Sequence, residues 1–515
     1  MLRRAAAISL LPGLWPRLAD PQIAAQTPVR RVRPCDPSWP NAASWDELNQ
    51  AVGGNLIRLQ SSLADCAVAA DNSSCQDVLQ NLKNPYYIGD QPGLTQTSGW
   101  VDAWVSAPSA YAVAARTGRY VQGGGCATVG VAGLIQSGGF GSFSKNYGMA
   151  TAGRLEAEIV TPDGAVRIAN ACTNPELFWG IKGGGGGSLG VVTRLTLRTQ
   201  ELPSWFGAAF MTIKAASDAA YRRLTGEFIR FYRDRLLNRH WGEIVGFGRN
   251  NSLVVAMSSQ GLDKQQAQDV WQPFLDWVAG SPQEFILASS PMIGSIPALK
   301  WLDAEFLRAN VPGTVIADQR PGAPAGNVWW AGDQGQVGAF WHGYQSAWLP
   351  ASLLDDDQRG PFADVLFAAT RYWSVALHFN KGLAGAPADA VAAAGDTATN
   401  PAVLTAFALA IIAGSGPPAY PGMPGSVPDL TMARRAGGAI GGAMAELRRR
   451  VPDAGSYVAE SNFFKSDWQR SFWGANYPRL QAVKSKYDPD GLFFVHHGVG
   501  SEDWSDDGLT RLIRR

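Results

Sequence analysis

A single cysteine, Cys126, lies within a glycine-rich stretch that runs from Gly123 to Gly141. Glycine has no Cβ and readily adopts positive φ angles, so this backbone can lie close against a bound group. Consecutive exposed N–H groups form a concavity that binds anions such as phosphates. The stretch therefore predicts a loop that binds a phosphate-bearing ligand beside a sulfur atom. The alternative is a tight turn around a small buried cysteine, because free cysteine usually packs as a hydrophobe.

Two parts of this stretch resemble the flavin-binding loop of the berberine-bridge-enzyme-like FAD-linked oxidases, a group of the vanillyl-alcohol-oxidase (PCMH-type) flavoprotein family. Residues 124–130 read Gly-Gly-Cys-Ala-Thr-Val-Gly and residues 137–141 read Ser-Gly-Gly-Phe-Gly, in the order and spacing of the family. The resemblance implies an FAD cofactor, which in this group can be bonded through C6 of its ring to the cysteine, here Cys126. The cofactor-binding residues that the resemblance implies are Gly124, Gly125, Cys126, Thr128, Val129, Gly130, Gly133, Ser137, Gly138, Gly139, Gly141, Gly190, Val191 and Asn476.

The segment 476–494 carries a second match, to the C-terminal motif of the same group. It begins with Asn476-Tyr477, and Pro489 ends the helix that its apolar spacing predicts. In the family this segment returns to the FAD domain, with its Asn-Tyr end near the flavin.

Oxidation of a C–H bond over a flavin needs a base for the accompanying proton. A tyrosine or a histidine near the ring would serve, and our candidate catalytic residues are Tyr477, Tyr372 and His497. For Tyr372, which lies in a predicted strand over 371–379, a role in the core is the alternative. We predict no metal site, because adjacent strand residues such as His496 and His497 point to opposite faces.

The chain departs from the family upstream of the cysteine loop. Family members carry there a second glycine-rich turn, ending in a histidine, which cradles the FAD pyrophosphate and can form another flavin bond. Here residues 114–120 run directly into the cysteine loop, and the first histidine of the chain is His240. We therefore expect an internal shortening between about Tyr111 and Gly118 and no histidyl linkage.

These features predict an FAD-dependent oxidase that oxidises an alcohol, a sugar or a related small molecule, with molecular oxygen as electron acceptor. The alternative is a non-catalytic or FAD-deficient remnant of the family, because the second glycine-rich turn is missing. A Rossmann-type dehydrogenase fits less well, since the stretch from Gly123 to Gly141 does not open a helix with periodic apolar residues.

The composition of the chain bears on its binding partners and on its location in or outside the cell. The 515 residues carry 44 lysines and arginines against 43 acidic residues, so no charge excess favours nucleic acid or an anionic membrane. No apolar run reaches the length of a membrane helix. Residues 1–28 are typical of an export signal, which predicts a secreted or periplasmic protein.

Cys66 and Cys75 flank a turn-forming cluster, and we expect them to form a disulfide; two free thiols are the alternative.

The predicted fold class is α+β: a shortened PCMH-type FAD-binding domain and a substrate domain whose antiparallel sheet is covered by helices. After the signal-like segment 1–28, we assign 29–202 to the FAD-binding domain, 203–465 to the substrate domain and 466–515 to the returning C-terminal segment. A hairpin is predicted over 155–168 around the turn Asp163-Gly164. Asn174 is the predicted N-cap of a short helix, and Pro273 is expected to break or kink a later one.

Overall fold

The computed structural model describes residues 30–59, 63–64, 66, 72–91, 93, 113–126, 129–420 and 425–512. The predicted export signal and Thr128 lie outside these residues. The expected shortening between Tyr111 and Gly118 also lies partly outside them, and it stays a prediction.

The secondary structure alternates between helices and antiparallel strands along the described chain. The α-helices are α1 (Ala42–Ala51), α2 (Ser73–Asn81), α3 (Pro85–Asp90), α4 (Val131–Gln136), α5 (Ser144–Tyr147), α6 (Pro175–Gly180), α7 (Asp218–Phe231), α8 (Lys264–Ala279), α9 (Ala298–Trp301), α10 (Ala304–Asn310), α11 (Arg359–Tyr372), α12 (Ala388–Gly395), α13 (Leu430–Arg450), α14 (Trp468–Trp473) and α15 (Tyr477–Tyr487). The strands are β1 (Arg119–Val121), β2 (Arg154–Val160), β3 (Val166–Asn170), β4 (Val191–Leu197), β5 (Thr199–Glu201), β6 (Trp205–Ala215), β7 (Trp241–Phe247), β8 (Ser252–Gln260), β9 (Phe285–Leu287), β10 (Met292–Pro297), β11 (Val315–Ala317), β12 (Val328–Trp330), β13 (Ala339–Pro350), β14 (Val375–His378) and β15 (Ala406–Pro418).

The largest sheet is antiparallel throughout, with strand order β10-β6-β8-β7-β14-β15-β13 and β9 beside β6. Helices α7, α8, α11 and α13 cover one face, because their apolar residues and every second strand residue share one buried core. On β6 these inward residues are Ala209, Met211 and Ile213. The result confirms the predicted α+β class with a helix-covered antiparallel sheet.

The opposite face of this sheet packs against the glycine-rich segment. Phe143 stacks on Phe206 of β6, with ring centroids 4.9 Å apart, and Phe140 lies 5.6 Å from Trp348 of β13. The buried ammonium of Lys145 donates to the carbonyls of 382, 384 and 407, at 2.9–3.0 Å. The sheet therefore lies between a layer of helices and the cysteine-bearing segment.

A smaller sheet, β3-β2-β4, forms the core into which the C-terminal helices pack. The predicted hairpin is confirmed, since the Thr161 hydroxyl donates to Asp163 within the β2–β3 turn. Trp473 of α14 and Leu480 of α15 are fully buried against the side chains of this sheet and of α6. The C-terminal segment thus lies against residues 154–197.

Asn174 is the N-cap residue of α6, as predicted, but it adopts a left-handed conformation and its side-chain amide donates to the carbonyl of Ile168 instead of capping the helix. Two local predictions were wrong. Helix α8 is not broken at Pro273 but continues through this residue, whose side chain is exposed. Residues before Trp373 end helix α11 instead of forming a strand, because the apolar residues of 359–372 repeat at helical spacing and pack into the core.

The predicted disulfide is confirmed between Cys66 and Cys75, whose Cα atoms lie 4.9 Å apart. Cys35, Cys126 and Cys172 are free and exposed. In the described part of the chain, no helix combines the length and the apolar character that a membrane span requires.

The close packing of the glycine-rich segment leads to a stability prediction. A Cβ at Gly141 would overlap the carbonyl oxygen of Gly123, whereas a Cβ at Gly133, within α4, would meet no atom within 4 Å. We expect Gly141→Ala to lower the free energy of unfolding by about 1–3 kcal/mol or more. The control Gly133→Ala should leave it unchanged or raise it by up to about 1 kcal/mol. Equal melting temperatures for the two variants, measured by calorimetry, would contradict this packing.

Candidate active site

A cavity of about 840 Å³ lies beside Cys126, between the glycine-rich segment and the uncovered face of the large sheet. The cysteine loop contributes Gly124, Gly125 and Cys126, and β6 and β10 contribute the opposite wall. Its aromatic walls consist of Tyr120, Phe143, Phe206, Phe210, Trp301 and Trp330. Concave sites of this volume with mostly apolar walls suit flat ring systems.

Cys126 is an exposed residue on the wall of this cavity. The surrounding protein still removes much of the water around the sulfur, and this burial raises the pKa of the Cys126 thiol to about 12. The negative charge of Asp333 and its hydrogen bond with the thiol raise the pKa further, as does Glu243, while Lys381 lowers it. The sulfur therefore carries its proton at neutral pH.

Glu243 is held at the cavity by an unusual backbone conformation. Its φ of +71° lies in the left-handed region, which is rare for a residue other than glycine. On the same strand, Trp241, Val245 and Phe247 are buried under the helices, as strand alternation requires. Glu243 has the same parity, yet its side chain lines the cavity on the opposite face. The left-handed turn therefore moves a carboxyl group out of the apolar core.

Two contacts orient the Glu243 carboxyl. The Ser142 hydroxyl donates a hydrogen bond to its Oε1. A Cβ at Gly125 would lie 3.1 Å from the same oxygen, so the carboxyl lies directly against the cysteine loop. Burial raises the pKa of Glu243, which the Ser142 hydrogen bond and Lys381 partly offset.

A partly buried ion pair lies behind these groups. The ammonium of Lys381, a residue that follows β14, donates to both oxygens of the Glu460 carboxylate, in the segment between α13 and α14. The exposed fractions of the two side chains are 9% and 24%. The pair joins the large sheet to the segment after α13, and Lys381 places a positive charge near Cys126 and Glu243.

The amides of the second glycine cluster are occupied within the protein. The N–H of Gly138 donates to the carbonyl of Ile135, that of Gly139 to the Tyr457 hydroxyl, and that of Gly141 to the Ser144 hydroxyl. None of these three glycines lines the cavity. In this structure they allow close packing of the chain, and their role in cofactor binding stays a prediction.

The other predicted cofactor residues are spread around the loop. Gly130 and Ser137 flank α4, Gly133 lies within it, and Val129 packs against Gly124. Gly190 lies against the carbonyl of Val160, Val191 begins β4 with its side chain exposed, and the Asn476 amide donates to the carbonyl of Thr399. Of the predicted set, the described residues that line the cavity are Gly124, Gly125 and Cys126.

The three candidate bases do not line the cavity. Tyr372 is 45% exposed at the end of α11, where its ring lies over Gly442. The Tyr477 hydroxyl donates to Glu502, and burial together with this carboxylate raises the pKa of Tyr477. The ring of His497 stacks on Trp468, and burial lowers its pKa to about 4.

The two adjacent histidines also differ from the prediction. The rings of His496 and His497 stack with centroids 3.9 Å apart instead of pointing apart. The reason is a turn, in which His497 has a φ of +57°, where a strand had been expected.

Glu243 and Lys381 are the site residues that sequence reasoning missed. A sequence signal for Glu243 exists. It is the one charged residue of the strand Trp-Gly-Glu-Ile-Val-Gly-Phe, and strand alternation would place its side chain on the face that packs against the core. An unpaired carboxyl at such a position is costly in a core, so the charge itself indicates a local departure from regular strand geometry.

The residues present fit the ring end of a flavin nucleotide. Cys126 opens onto a cavity of ring-system size, and the adjacent wall is bare glycine backbone. At Gly125 a side chain would press on the Glu243 carboxyl, so glycine leaves space for both groups beside a ring. A cradle for the pyrophosphate is not identified among the described residues.

This ion pair generates a prediction that does not require a cofactor. We expect Lys381→Met to lower the free energy of unfolding by about 1–3 kcal/mol, because the Glu460 carboxylate, which is only 24% exposed, would lose its partner. The double variant Lys381→Met/Glu460→Met should lose less than the sum of the single variants in urea unfolding. The exposed pair Arg470–Asp453 is the matched control, with an expected coupling of about 0–1 kcal/mol. Strict additivity at Lys381 and Glu460 would contradict the pairing.

Comparison with known proteins places these features in a family. Residues 456–500 match the family model described as Berberine and berberine like. The chain is 30% identical over 446 residues to the VAO-type flavoprotein oxidase VAO615 of Thermothelomyces thermophilus, a match that covers 85% of this chain and 68% of the relative.

Solved structures agree in fold. The VAO-type flavoprotein MtVAO615 from Myceliophthora thermophila C1 superposes with a TM-score of 0.69 and 22% identity, covering 92% of this chain and 98% of that chain. The glucooligosaccharide oxidase of Acremonium strictum, which carries a 6-S-cysteinyl, 8α-N1-histidyl FAD, superposes with a TM-score of 0.55 and 16% identity, covering 75% of this chain and 74% of that chain. The chain therefore belongs to the VAO-type flavoproteins, in the berberine-bridge-enzyme-like group of FAD-linked oxidases.

Proposed function

We propose that the protein is an FAD-dependent oxidase that converts an alcohol carbon of a small molecule to a carbonyl and uses molecular oxygen as the final electron acceptor. The observation that carries this proposal is Cys126, an exposed residue on the wall of a cavity of about 840 Å³ with aromatic walls. Relatives described as a VAO-type flavoprotein oxidase and an FAD-linked oxidoreductase support it.

FAD, when bound, supplies a two-electron acceptor that oxygen can reoxidise with release of hydrogen peroxide. The chain's own residues then have separate tasks. Gly124 and Gly125 leave space for the ring, and Cys126 fixes its position. The aromatic walls, with Phe206 and Trp301 on the sheet side, hold the substrate and exclude water.

We further propose that the flavin is attached covalently to Cys126. Attachment through the sulfur would require loss of the thiol proton and of the hydrogen on the flavin carbon, and the two electrons released would pass to molecular oxygen. The raised pKa of Cys126 means that a neighbouring carboxylate must accept the thiol proton. Asp333 is the carboxylate that is hydrogen-bonded to the thiol. The glucooligosaccharide oxidase provides a precedent for a cysteinyl flavin on this fold.

We propose a flat or ring-shaped alcohol as the substrate class. The described residues that line the cavity offer mostly apolar and aromatic surface, with Arg119 and Lys264 as cationic groups. Apolar and aromatic walls favour a ring-shaped molecule.

We also propose that the protein is secreted or periplasmic, on the sequence of residues 1–28 alone.

The second candidate function is a scaffold of the same family that binds no FAD. It is favoured by the expected absence of the second glycine-rich turn. The two candidates differ in whether the purified chain carries flavin.

The test is acid precipitation of the purified protein followed by peptide mass spectrometry. We expect a yellow protein whose flavin remains on a peptide that contains Cys126 after precipitation. Cys126→Ala should release all flavin to the supernatant, while the exposed control Cys172→Ala should retain it. Flavin that is released from the unaltered protein would refute the covalent bond, and a colourless protein that gains no flavin absorbance with added FAD would support the scaffold.

A further inference from the structure

We propose that the Glu243 carboxylate is the catalytic base that takes the hydroxyl proton of the substrate. This inference rests on the proposed oxidase function and assigns its proton-accepting group. It replaces Tyr372, Tyr477 and His497, none of which lines the cavity.

The composition of the cavity wall selects this residue. Among the described residues that line the cavity, Glu243 is the single carboxylate, and no histidine is present. The one tyrosine of the wall, Tyr120, already donates its hydroxyl hydrogen to Gln122 at 2.8 Å. Glu243 is thus the group of this wall best suited to accept a proton near neutral pH.

The backbone of Glu243 supports a functional role. A φ of +71° at a non-glycine residue costs of order 1–3 kcal/mol and persists where the surroundings enforce it. Here the next residue toward the N-terminus, Gly242, lies so close to the carbonyl of Ser142 that a Cβ would overlap it. Two backbone features thus cooperate to aim one carboxyl at the cavity.

The charged groups around the Glu243 carboxylate leave it able to accept a proton from the substrate. No described cation lies within ion-pair distance of it, since the nearby Lys381 is engaged by Glu460. The other groups that face it are the Ser142 hydroxyl, which donates to it, and the Cys126 thiol, which is protonated at neutral pH. Asp333 interacts with that thiol. The raised pKa of Glu243 has burial as its main cause and makes it a stronger base than an exposed carboxylate.

The step balances as a two-electron oxidation of an alcohol. The O–H bond of the substrate breaks and its proton passes to the Glu243 carboxylate. FAD, when bound, would supply the acceptor for the hydrogen and electron pair of the C–H bond at the same carbon, so that the loss of both hydrogens leaves a C=O bond. Ser142 is a positioning residue in this step, because its hydroxyl fixes the orientation of the carboxylate. The proton leaves to solvent through the open side of the cavity after product release.

The first test measures anaerobic flavin reduction by benzyl alcohol and by cellobiose, in protein isolated with its flavin. Glu243→Gln should reduce the limiting rate at least about 100-fold, the lower bound for loss of a general base. The unaltered protein should show a rate that rises with pH as Glu243 deprotonates, and this dependence should disappear in Glu243→Gln. Glu243→Asp should recover part of the rate. Ser142→Ala should retain the pH dependence with a lower rate.

The second test needs no activity. A carboxyl whose pKa is raised on folding weakens the folded state as pH rises from about 4.3 through the folded pKa. Glu243→Gln should therefore melt at a higher temperature than the unaltered protein at about pH 8, and this gap should close toward about pH 4.5. The matched control Glu176→Gln, on the exposed surface of α6, should show no such widening with pH.

The outcomes separate the two proposals. A flavin-bearing protein that neither alcohol reduces overturns the oxidase function for these substrates and the inference with it. Reduction of Glu243→Gln at the rate and pH dependence of the unaltered protein overturns the inference alone. If Glu243→Gln and the unaltered protein have the same melting temperature at every pH, the Glu243 carboxyl is not buried without an ion-pair partner. That result overturns the state of the carboxyl on which the inference depends.

Discussion

The site depends on a backbone-to-backbone contact between strand β7 and the glycine-rich segment. Gly242 lies so close to the carbonyl of Ser142 that no side chain fits between them. This contact brings the Ser142 hydroxyl to the neighbouring Glu243 and places both beside the cysteine loop. Because the approach is made by the main chain, its distance is fixed more strictly than any contact between flexible side chains.

Buried polar groups hold the two sides of this contact together. Lys145, from the cysteine-bearing side, donates to three carbonyls of the sheet side, and Lys381 pairs with Glu460 in the segment between α13 and α14. Within the region of the smaller sheet, Arg154 of β2 donates to the carbonyls of Ile181 and Phe178. Each of these cations is removed from water, so its partners must stay in place for the folded state to tolerate it. The interface is therefore specified by directional contacts as well as by apolar packing.

Local sequence patterns predicted the parts of the fold that depend on short-range chemistry. The cysteine loop, the Asp163-Gly164 hairpin, the Cys66–Cys75 disulfide and the helix of 477–487 follow from spacing, turn chemistry and family resemblance. The charge of Glu243 at an inward strand position indicates a departure from regular strand geometry, but the direction in which the carboxyl turns could not be predicted, because a left-handed φ at glutamate has no sequence signature. Tyr372 was misplaced since its aromatic and β-branched neighbours suit a strand, whereas the tertiary core selects a helix. Glycine density indicated exposed amides, but at Gly139 and Gly141 the protein itself provides the acceptors.

The protonated state of Cys126 has a consequence for oxidative folding. Disulfide exchange proceeds through the thiolate, so a sulfur that holds its proton reacts slowly with other disulfides. Once the carboxyl groups of Asp333 and Glu243 surround it, the Cys126 sulfur is poorly able to scramble the Cys66–Cys75 bridge. The same acidic neighbours thereby slow the formation of non-native disulfides by Cys126.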